Sequence, residues 1–209
     1  MIYIFYHIYC NEFTLPILKE QMELIVSSGL YETVDKIYCF ITGNQTHIQT
    51  CSDTLVSFGE KIYIEDIGIN DTSYERFTLL KIKKYICDTD KFLYLHTKGV
   101  TKPTSEHVKY WRQYMQYFLI TKHTQCIEYL DSFDTVGVNF QNAPSKHYSG
   151  NFWWTHGSYF SKLPNTIDHH YCAPEFYIGL ANPHYKELFS TGNMNLYGVS
   201  IKPDKYMQT

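Results

Sequence analysis

The chain reads as an α/β protein, with a mostly parallel central sheet flanked by helices and an irregular C-terminal part. Three observations predict this. Strand-length apolar runs alternate with helix-length amphipathic stretches through the first two-thirds, an order that calls for parallel strands joined by right-handed crossovers. The run Phe92-Leu93-Tyr94-Leu95 is continuously apolar, as in a strand covered on both faces. Glycines or polar clusters punctuate the ends of these runs, at Gly43, Gly68 and Gly99.

Taken in order, residues 2–9 form the first strand. Thr14 caps a helix with Leu15 and Pro16 in its first turn, and Gly29 closes it. Residues 36–42 make the second strand, ending in Gly43-Asn44, and a helical stretch to Phe58 is stopped by Gly59. Residues 61–67 alternate as a third strand that Gly68 ends. Ser73 begins a helix through Ile86, with Phe77, Leu80 and Ile82 on one buried stripe. Residues 91–96 are the fourth strand. A long helical region spans 105–130, broken near 121–124, and 135–140 form a fifth strand. After Gln141 the pattern turns irregular, with one strand at 151–155 and a short helix at 159–163. The order implies a Rossmann-like nucleotide-binding half, about 1–141, and an acceptor-binding half, about 142–209, within one domain.

Composition narrows the function. A chain of 209 residues buries about 70% of its unfolded surface and needs no metal or disulfide staple. A formal net charge of -3 argues against a general nucleic-acid binder. Twenty tyrosines suit a cleft for sugars or bases, although an AT-rich genome enriches the same residue. The six cysteines are scattered without a C-x-x-C pair, so neither a disulfide framework nor a zinc site is expected, and the cytoplasm is the expected compartment. No run approaches the ~18 apolar residues of a membrane span, and the N-terminus reads as a strand, not a signal peptide. Lys202-Pro203-Asp204-Lys205 suits a linker, which leaves room for further domains of a longer polypeptide.

Three segments carry chemistry. The fourth strand ends in His96-Thr97-Lys98-Gly99, at the edge where open α/β sheets bind ligands. Lys98 offers positive charge to an anion, and Gly99 lets the backbone approach closely; the bland alternative is a solvated turn. The same edge gathers His7 and Tyr9 from strand one, Thr42 from strand two, and Asp71 with Arg76 after strand three. Asp71 or Ser73 has an alternative role as helix cap, whereas Arg76 early in a helix opposes the dipole unless an anion offsets it. The second segment is Ser149-Gly150-Asn151-Phe152-Trp153-Trp154. Adjacent tryptophans on a strand face opposite sides, so one is expected inside and the other is available to a sugar ring, with Asn151 holding hydroxyls; the alternative is that both are buried between the sheet and the C-terminal segment. The third is Pro174-Glu175-Phe176, where a carboxylate sits in an apolar run. Asp88-Thr89-Asp90 has the D-x-D form of metal-binding transferases, but it precedes its strand and reads as a turn on the opposite edge.

The residues 92–99, Trp111 in the long helix and the 149–154 segment together resemble small GT-A-type glycosyltransferases, most like the chlorella-virus capsid-glycan glycosyltransferase domain. The resemblance implies transfer of a hexose or deoxyhexose from a UDP-sugar to a glycan hydroxyl, in viral capsid or surface polysaccharide glycosylation. If viral, the compartment is the host cytoplasm. It places His96, Thr97, Lys98 and Gly99 where such enzymes carry D-x-D, so Lys98 takes over part of a metal's role on the diphosphate. Mn²⁺ or Mg²⁺ held by diphosphate and water is compatible with the sequence but not required by it, and no metal ligand is assigned. Lys98 and Glu175 are the expected catalytic groups. His7, Tyr9, Thr42, Asp71, Arg76 and the tetrad are expected to bind the nucleotide diphosphate, and Asn151, Trp153 and Trp154 the sugar. A non-catalytic nucleotide-sugar or carbohydrate-binding module is the alternative. Nucleotidyl transfer is disfavoured, because Tyr9-Cys10-Asn11-Glu12 lacks a glycine-rich phosphate loop.

Overall fold

In the computed structural model, which describes residues 1–192 and 194–207, the elements follow in the order β1 (Ile2–Cys10), α1 (Thr14–Ser27), α2 (Leu30–Thr33), β2 (Lys36–Gly43), α3 (Gln45–Val56), β3 (Ile62–Ile69), α4 (Arg76–Leu79) and β4 (Lys91–His96). The second half holds α5 (Glu106–Gln116), α6 (His123–Tyr129), β5 (Thr135–Gly137), β6 (Phe140–Gln141), β7 (His147–Tyr148), β8 (Trp153–His156), α7 (Gly157–Phe160), α8 (Ala173–Phe176) and β9 (Tyr185–Glu187).

Seven strands form one sheet in the order β3-β2-β1-β4-β8-β5-β9, and β6 pairs with β7 in a separate ribbon. Six of the seven run in one direction. Only β8 is reversed, pairing antiparallel with both β4 and β5. The expected α/β class and mostly parallel sheet are therefore present, with β4 at the centre. Side chains alternate across the sheet as the period of two demands. Ile4, Tyr6, Ile8, Leu93 and Leu95 join the layer under α1, α3 and α5. Tyr3, Phe5, Phe92 and Tyr94 join the opposite layer with Tyr38, Phe40, Phe160 and Tyr177.

Local chemistry accounts for most boundaries. Thr14 opens α1 by donating its hydroxyl to Tyr9 O and accepting from Asn11 N, both at 2.8 Å. Ser105 caps α5 by accepting from Val108 N, and the helix passes through a π turn at Tyr117–Thr121 before α6, close to the expected break. At Gly43 φ is +122° and a Cβ would lie 2.2 Å from Cys10 O, so only glycine lets β2 end this close to β1.

Three expectations are corrected. Residues 73–86 do not form one helix: Tyr74 is left-handed at φ +54°, so helix starts only after it, and α4 gives way to a 3-10 turn at Ile82–Lys84. Strand β3 runs through Gly68 to Ile69 because Gly68 pairs with Thr42, and a Cβ at Gly68 would sit 2.8 Å from the Asp71 and Phe77 side chains. The strand expected at 135–140 is split between β5 and β6, with Asn139 left-handed at φ +52° between them. Past the main sheet, Ile201 and Tyr206 flank the 3-10 turn Pro203–Lys205 and are buried; the Tyr206 ring stacks near Tyr114 and Tyr117. Among the described residues no helix is long and apolar enough to cross a membrane.

The paired tryptophans are the anchor of β8, and the expectation that one is free for a sugar is overturned. Both are 0% exposed. Trp153 stacks on Tyr94 at 4.9 Å in one layer, while Trp154 donates to Leu119 O at 2.8 Å in the other. A reversed strand beside the central β4 is covered on both faces, so a solvent-facing side is not available to either ring. Trp153→Ala and Trp154→Ala are each expected to lower unfolding free energy by about 3–5 kcal/mol in chemical denaturation. Unchanged stability with only a loss of sugar binding would contradict this placement.

Candidate functional site

Parallel pairing brings His7 of β1 opposite His96 of β4, and the chain beyond β4 runs along the C-terminal edge of the sheet. There a cleft of about 330 Å³ opens. Its floor is His7, His96 and Thr97. Tyr9 and Tyr197 line it beside the segment Lys98 to Lys102, and Tyr74, Glu75, Gly150, Asn151, Tyr171 and Glu175 belong to the same lining.

The floor is polar but uncharged. His96 Nε2 donates to Gly150 O at 3.1 Å, which fixes the proton on that nitrogen. Burial, reinforced by Lys98, pulls its pKa down to about 3. His7 Nδ1 bonds the Thr78 hydroxyl at 2.8 Å, and burial lowers its pKa to about 4. Thr97 Oγ1 accepts from Tyr9 N at 3.0 Å and ties β4 to the end of β1.

Lys98 is held by its backbone and offered by its side chain. Arg112 on α5 donates to Lys98 O at 3.0 Å while its other nitrogens grip both oxygens of Glu20 on α1, each at 3.0 Å. Gly99, at φ +93°, packs so close that a Cβ would meet Arg112 Nη1 and Val108 at 3.0 Å. The Lys98 ammonium rests 3.8 Å from the centre of the Trp111 ring and has no hydrogen bond or ion pair among the described residues. Burial lowers its pKa, while the charges of Glu175 and Glu75 push it up.

Part of the lining is built by the turn before β8. Gly150 is left-handed at φ +96°, and a Cβ there would strike Met115 Sδ at 2.5 Å and Trp111 Nε1 at 2.9 Å. Its N–H donates to Glu175 Oε1 at 2.6 Å, so one oxygen of that carboxylate is engaged in holding the turn. Asn151 lines the cleft, its Oδ1 accepting from Trp153 Nε1 at 2.9 Å; its buried Nδ2 has no partner among the described residues. The Glu75 carboxylate stands 3.8 Å from His96 Nε2 and accepts no hydrogen bond among the described residues.

Several expected binding residues lie elsewhere. Thr42 is buried at the end of β2 and does not line the cleft. Asp71 accepts from the N–H and hydroxyl of Ser73, a local loop contact. The Arg76 guanidinium is committed to three backbone carbonyls: Asp168 O at 2.7 Å, His170 O at 2.5 Å and Ser73 O at 3.2 Å. These carbonyls, not an anion, offset its charge. Asp88-Thr89-Asp90 lies on the opposite edge as expected: Asp90 accepts from Cys87 N at 2.7 Å, and backbone carbonyls of Asp88 and Asp90 receive Ser158 and Gly157 N–H. Among the described residues no group of three or more His, Cys, Asp or Glu is placed to hold a metal ion. Sequence reasoning overlooked Glu75, Tyr74, Tyr171, Tyr197 and Arg112 as site residues. Glu75 and Tyr74 follow Asp71 in the strand-three loop; nothing local marks the other three.

A Rossmann-related sheet with a central β4 ending in a polar cleft defines a GT-A-like α/β fold. The chain belongs to the family described as a domain of unknown function (DUF8361), whose model matches residues 5–174. No curated protein matches it. Among solved structures it is similar to HddC from Yersinia pseudotuberculosis, at 11% identity and TM-score 0.51 over 100% of this chain and 97% of that one. It is also similar to 4-diphosphocytidyl-2C-methyl-D-erythritol synthase from Anaerococcus prevotii, at 9% identity and TM-score 0.50 over 99% of each chain. A third likeness is to residues 1–349 of TarS from S. aureus, at 7% identity and TM-score 0.50, over 91% of this chain and 60% of that one. These likenesses are of fold.

The neutral histidines give a pH signature. Unfolded, each titrates near 6.5; folded, near 4 for His7 and near 3 for His96. Unfolding between these values takes up protons, so stability is complete above about pH 6.5 and falls as pH drops toward 4. Denaturation across this range is expected to show His7→Asn and His96→Gln each removing about one proton from the slope, roughly 1.4 kcal/mol per pH unit.

Proposed function

We propose that this chain is a glycosyltransferase that moves a hexose or deoxyhexose from a UDP-sugar to a hydroxyl of a glycan acceptor. The observation that carries the reading is the Lys98 ammonium, free of any ion pair among the described residues and held on the Trp111 face at the ligand edge of the central strand. A cation kept without a carboxylate partner in a cleft is disposed to receive an anionic ligand. With a diphosphate beside Lys98, the bond from the sugar's anomeric carbon to the phosphate oxygen breaks and its electron pair leaves with UDP, whose new charge Lys98 offsets.

The acceptor hydroxyl has to lose a proton to a base. Glu175 was the sequence's candidate, but one of its oxygens already holds the Gly150 turn. Glu75, whose carboxylate accepts no hydrogen bond among the described residues, is assigned that task, and Glu175 is assigned the positioning of Gly150 and Asn151. The unpartnered Asn151 Nδ2 is a donor for a sugar hydroxyl. Mn²⁺ or Mg²⁺ arriving with the diphosphate is compatible with this reading, and no step depends on it. Viral capsid or surface polysaccharide glycosylation in the cytoplasm is the setting that the family resemblance supports.

Nucleotidyl transfer is less well served. The β1–α1 turn, where a phosphate loop would lie, spends its backbone donors internally: Asn11 N on Thr14 Oγ1, Phe13 N on Asn11 Oδ1 and Thr14 N on Asn11 O. UDP-sugar transfer or hydrolysis above background in a turnover assay would exclude a non-catalytic binding module.

Calorimetry with a panel of nucleotides, with and without Mn²⁺, is expected to show selective UDP binding that Lys98→Ala weakens by tenfold or more, about 1.4 kcal/mol. Equal binding of all nucleotides would sink the UDP assignment, and unaltered affinity in Lys98→Ala would remove the tetrad from the site. In turnover assays Glu75→Gln is expected to lower kcat by roughly 10²–10⁴-fold with UDP affinity kept. A smaller loss than that of Glu175→Gln would return the base to Glu175.

A further inference from the structure

Burial of both tryptophans leaves the cleft without the sugar platform that the sequence led one to expect. Its walls contain another. Tyr74, on the loop after β3, is 50% exposed, and Tyr171, on the loop before α8, is 72% exposed; both rings line the cleft. They meet edge to face with centroids 5.5 Å apart and an interplanar angle of 86°, an arrangement that leaves ring faces open to the cleft.

The arrangement is held in place at a cost. Tyr74 adopts φ +54°, a left-handed conformation that is rare for an aromatic residue and persists only where its surroundings enforce it. Arg76 ties the residue before Tyr74 to the facing loop. Its guanidinium is 8% exposed at the residue level and bridges the two loops, reaching Ser73 O on one and Asp168 O and His170 O on the other. A buried arginine thus joins the two loops that carry these exposed tyrosines.

Charges of both signs line the cleft, and Glu175 and Glu75 act on Lys98 as well as on Tyr171. Lys98 and Lys102 lie on the segment that follows β4, with Lys102 4.5 Å above the Tyr197 ring. The carboxylates lie with the tyrosines: Glu75 is the next residue to Tyr74, and the charges of Glu75 and Glu175 both act on the Tyr171 hydroxyl. A neutral ring carrying hydroxyls is matched by the tyrosines and their neighbouring carboxylates, with aromatic faces for its C–H side and carboxylate acceptors for its O–H groups.

We propose that Tyr74 and Tyr171, carried on loops joined by Arg76, form the subsite that binds a pyranose ring of the acceptor glycan. The proposal rests on the glycosyltransferase reading for the word acceptor; binding of the ring itself does not depend on it. Because a nucleobase also stacks on tyrosine, the test separates the two sources of a flat ring.

The experiment measures binding of a panel of methyl hexopyranosides and methyl 6-deoxyhexopyranosides by saturation-transfer NMR titration, and of UDP and uridine by calorimetry. It uses the wild type and the Tyr74→Ala, Tyr171→Ala and Tyr171→Phe variants, with thermal unfolding as the check on folding. Wild type is expected to bind at least one glycoside. Each alanine variant is expected to weaken it about tenfold, with UDP affinity within about twofold of wild type and Tyr171→Phe close to wild type. Glycoside binding that survives both alanine substitutions, or a wild type that binds no glycoside of the panel, overturns the subsite. Loss of UDP and uridine affinity with glycoside binding intact overturns it in favour of a nucleobase platform. Glycosides bound through the tyrosines by a wild type that binds no UDP would instead overturn the donor reading and leave the subsite standing.

Discussion

The structure depends on how the central strand β4 is flanked: parallel β1 on one side, reversed β8 on the other. Parallel pairing with β1 sets His7 against His96 and carries Thr97 to the end of β1. The reversed β8 runs back along β4, so the turn that precedes it, Gly150-Asn151, arrives at the same edge from which Lys98 departs. The antiparallel direction is secured by two tryptophans that enter opposite core layers. Large aromatic burial at 153 and 154 therefore fixes where Gly150 stands, and Gly150 in turn engages His96 and Glu175.

The electrostatics of the cleft follow from that packing. Two imidazoles are buried where their charged forms are disfavoured, which leaves the floor neutral. Lys98 is set against an aromatic face instead of a carboxylate, and its backbone carbonyl is fastened by the Arg112–Glu20 pair. Two carboxylates line the same cleft, one partly consumed by a backbone N–H and one not. The cleft thus brings the Lys98 cation, two carboxylates and two neutral imidazoles together at one edge of the sheet.

Much of the first half was legible in the chain because its signals are local. Continuous apolar runs gave β1, β2 and β4; Gly43 and Gly59 marked ends, and Ser105 marked the start of α5. The placement of Asp88-Thr89-Asp90 on the edge away from the cleft was also readable, since a turn before a parallel strand lies at its amino end. Residues 73–86 misled because the apolar spacing of Phe77, Leu80 and Ile82 fits a helix, whereas the left-handed Tyr74 and the Arg76 bridge are imposed by a loop almost a hundred residues away. The second half was harder, since its short strands draw their partners from distant segments.

The sequence by itself determined the alternation of strands and helices, the edge at which the cleft opens and the presence there of His96, Thr97, Lys98 and Gly99, because these follow from periodicity and chain direction. The tertiary structure alone decided what each polar side chain is free to do. Arg76 and Trp153 looked like ligand contacts in the chain; burial and backbone carbonyls claimed them. Glu75 and the pair Tyr74 and Tyr171 looked like an ordinary loop; packing left them lining the cleft. The physical reason is that a side chain's availability is set by its competing partners, and those partners are assembled only when segments far apart in the chain are brought together.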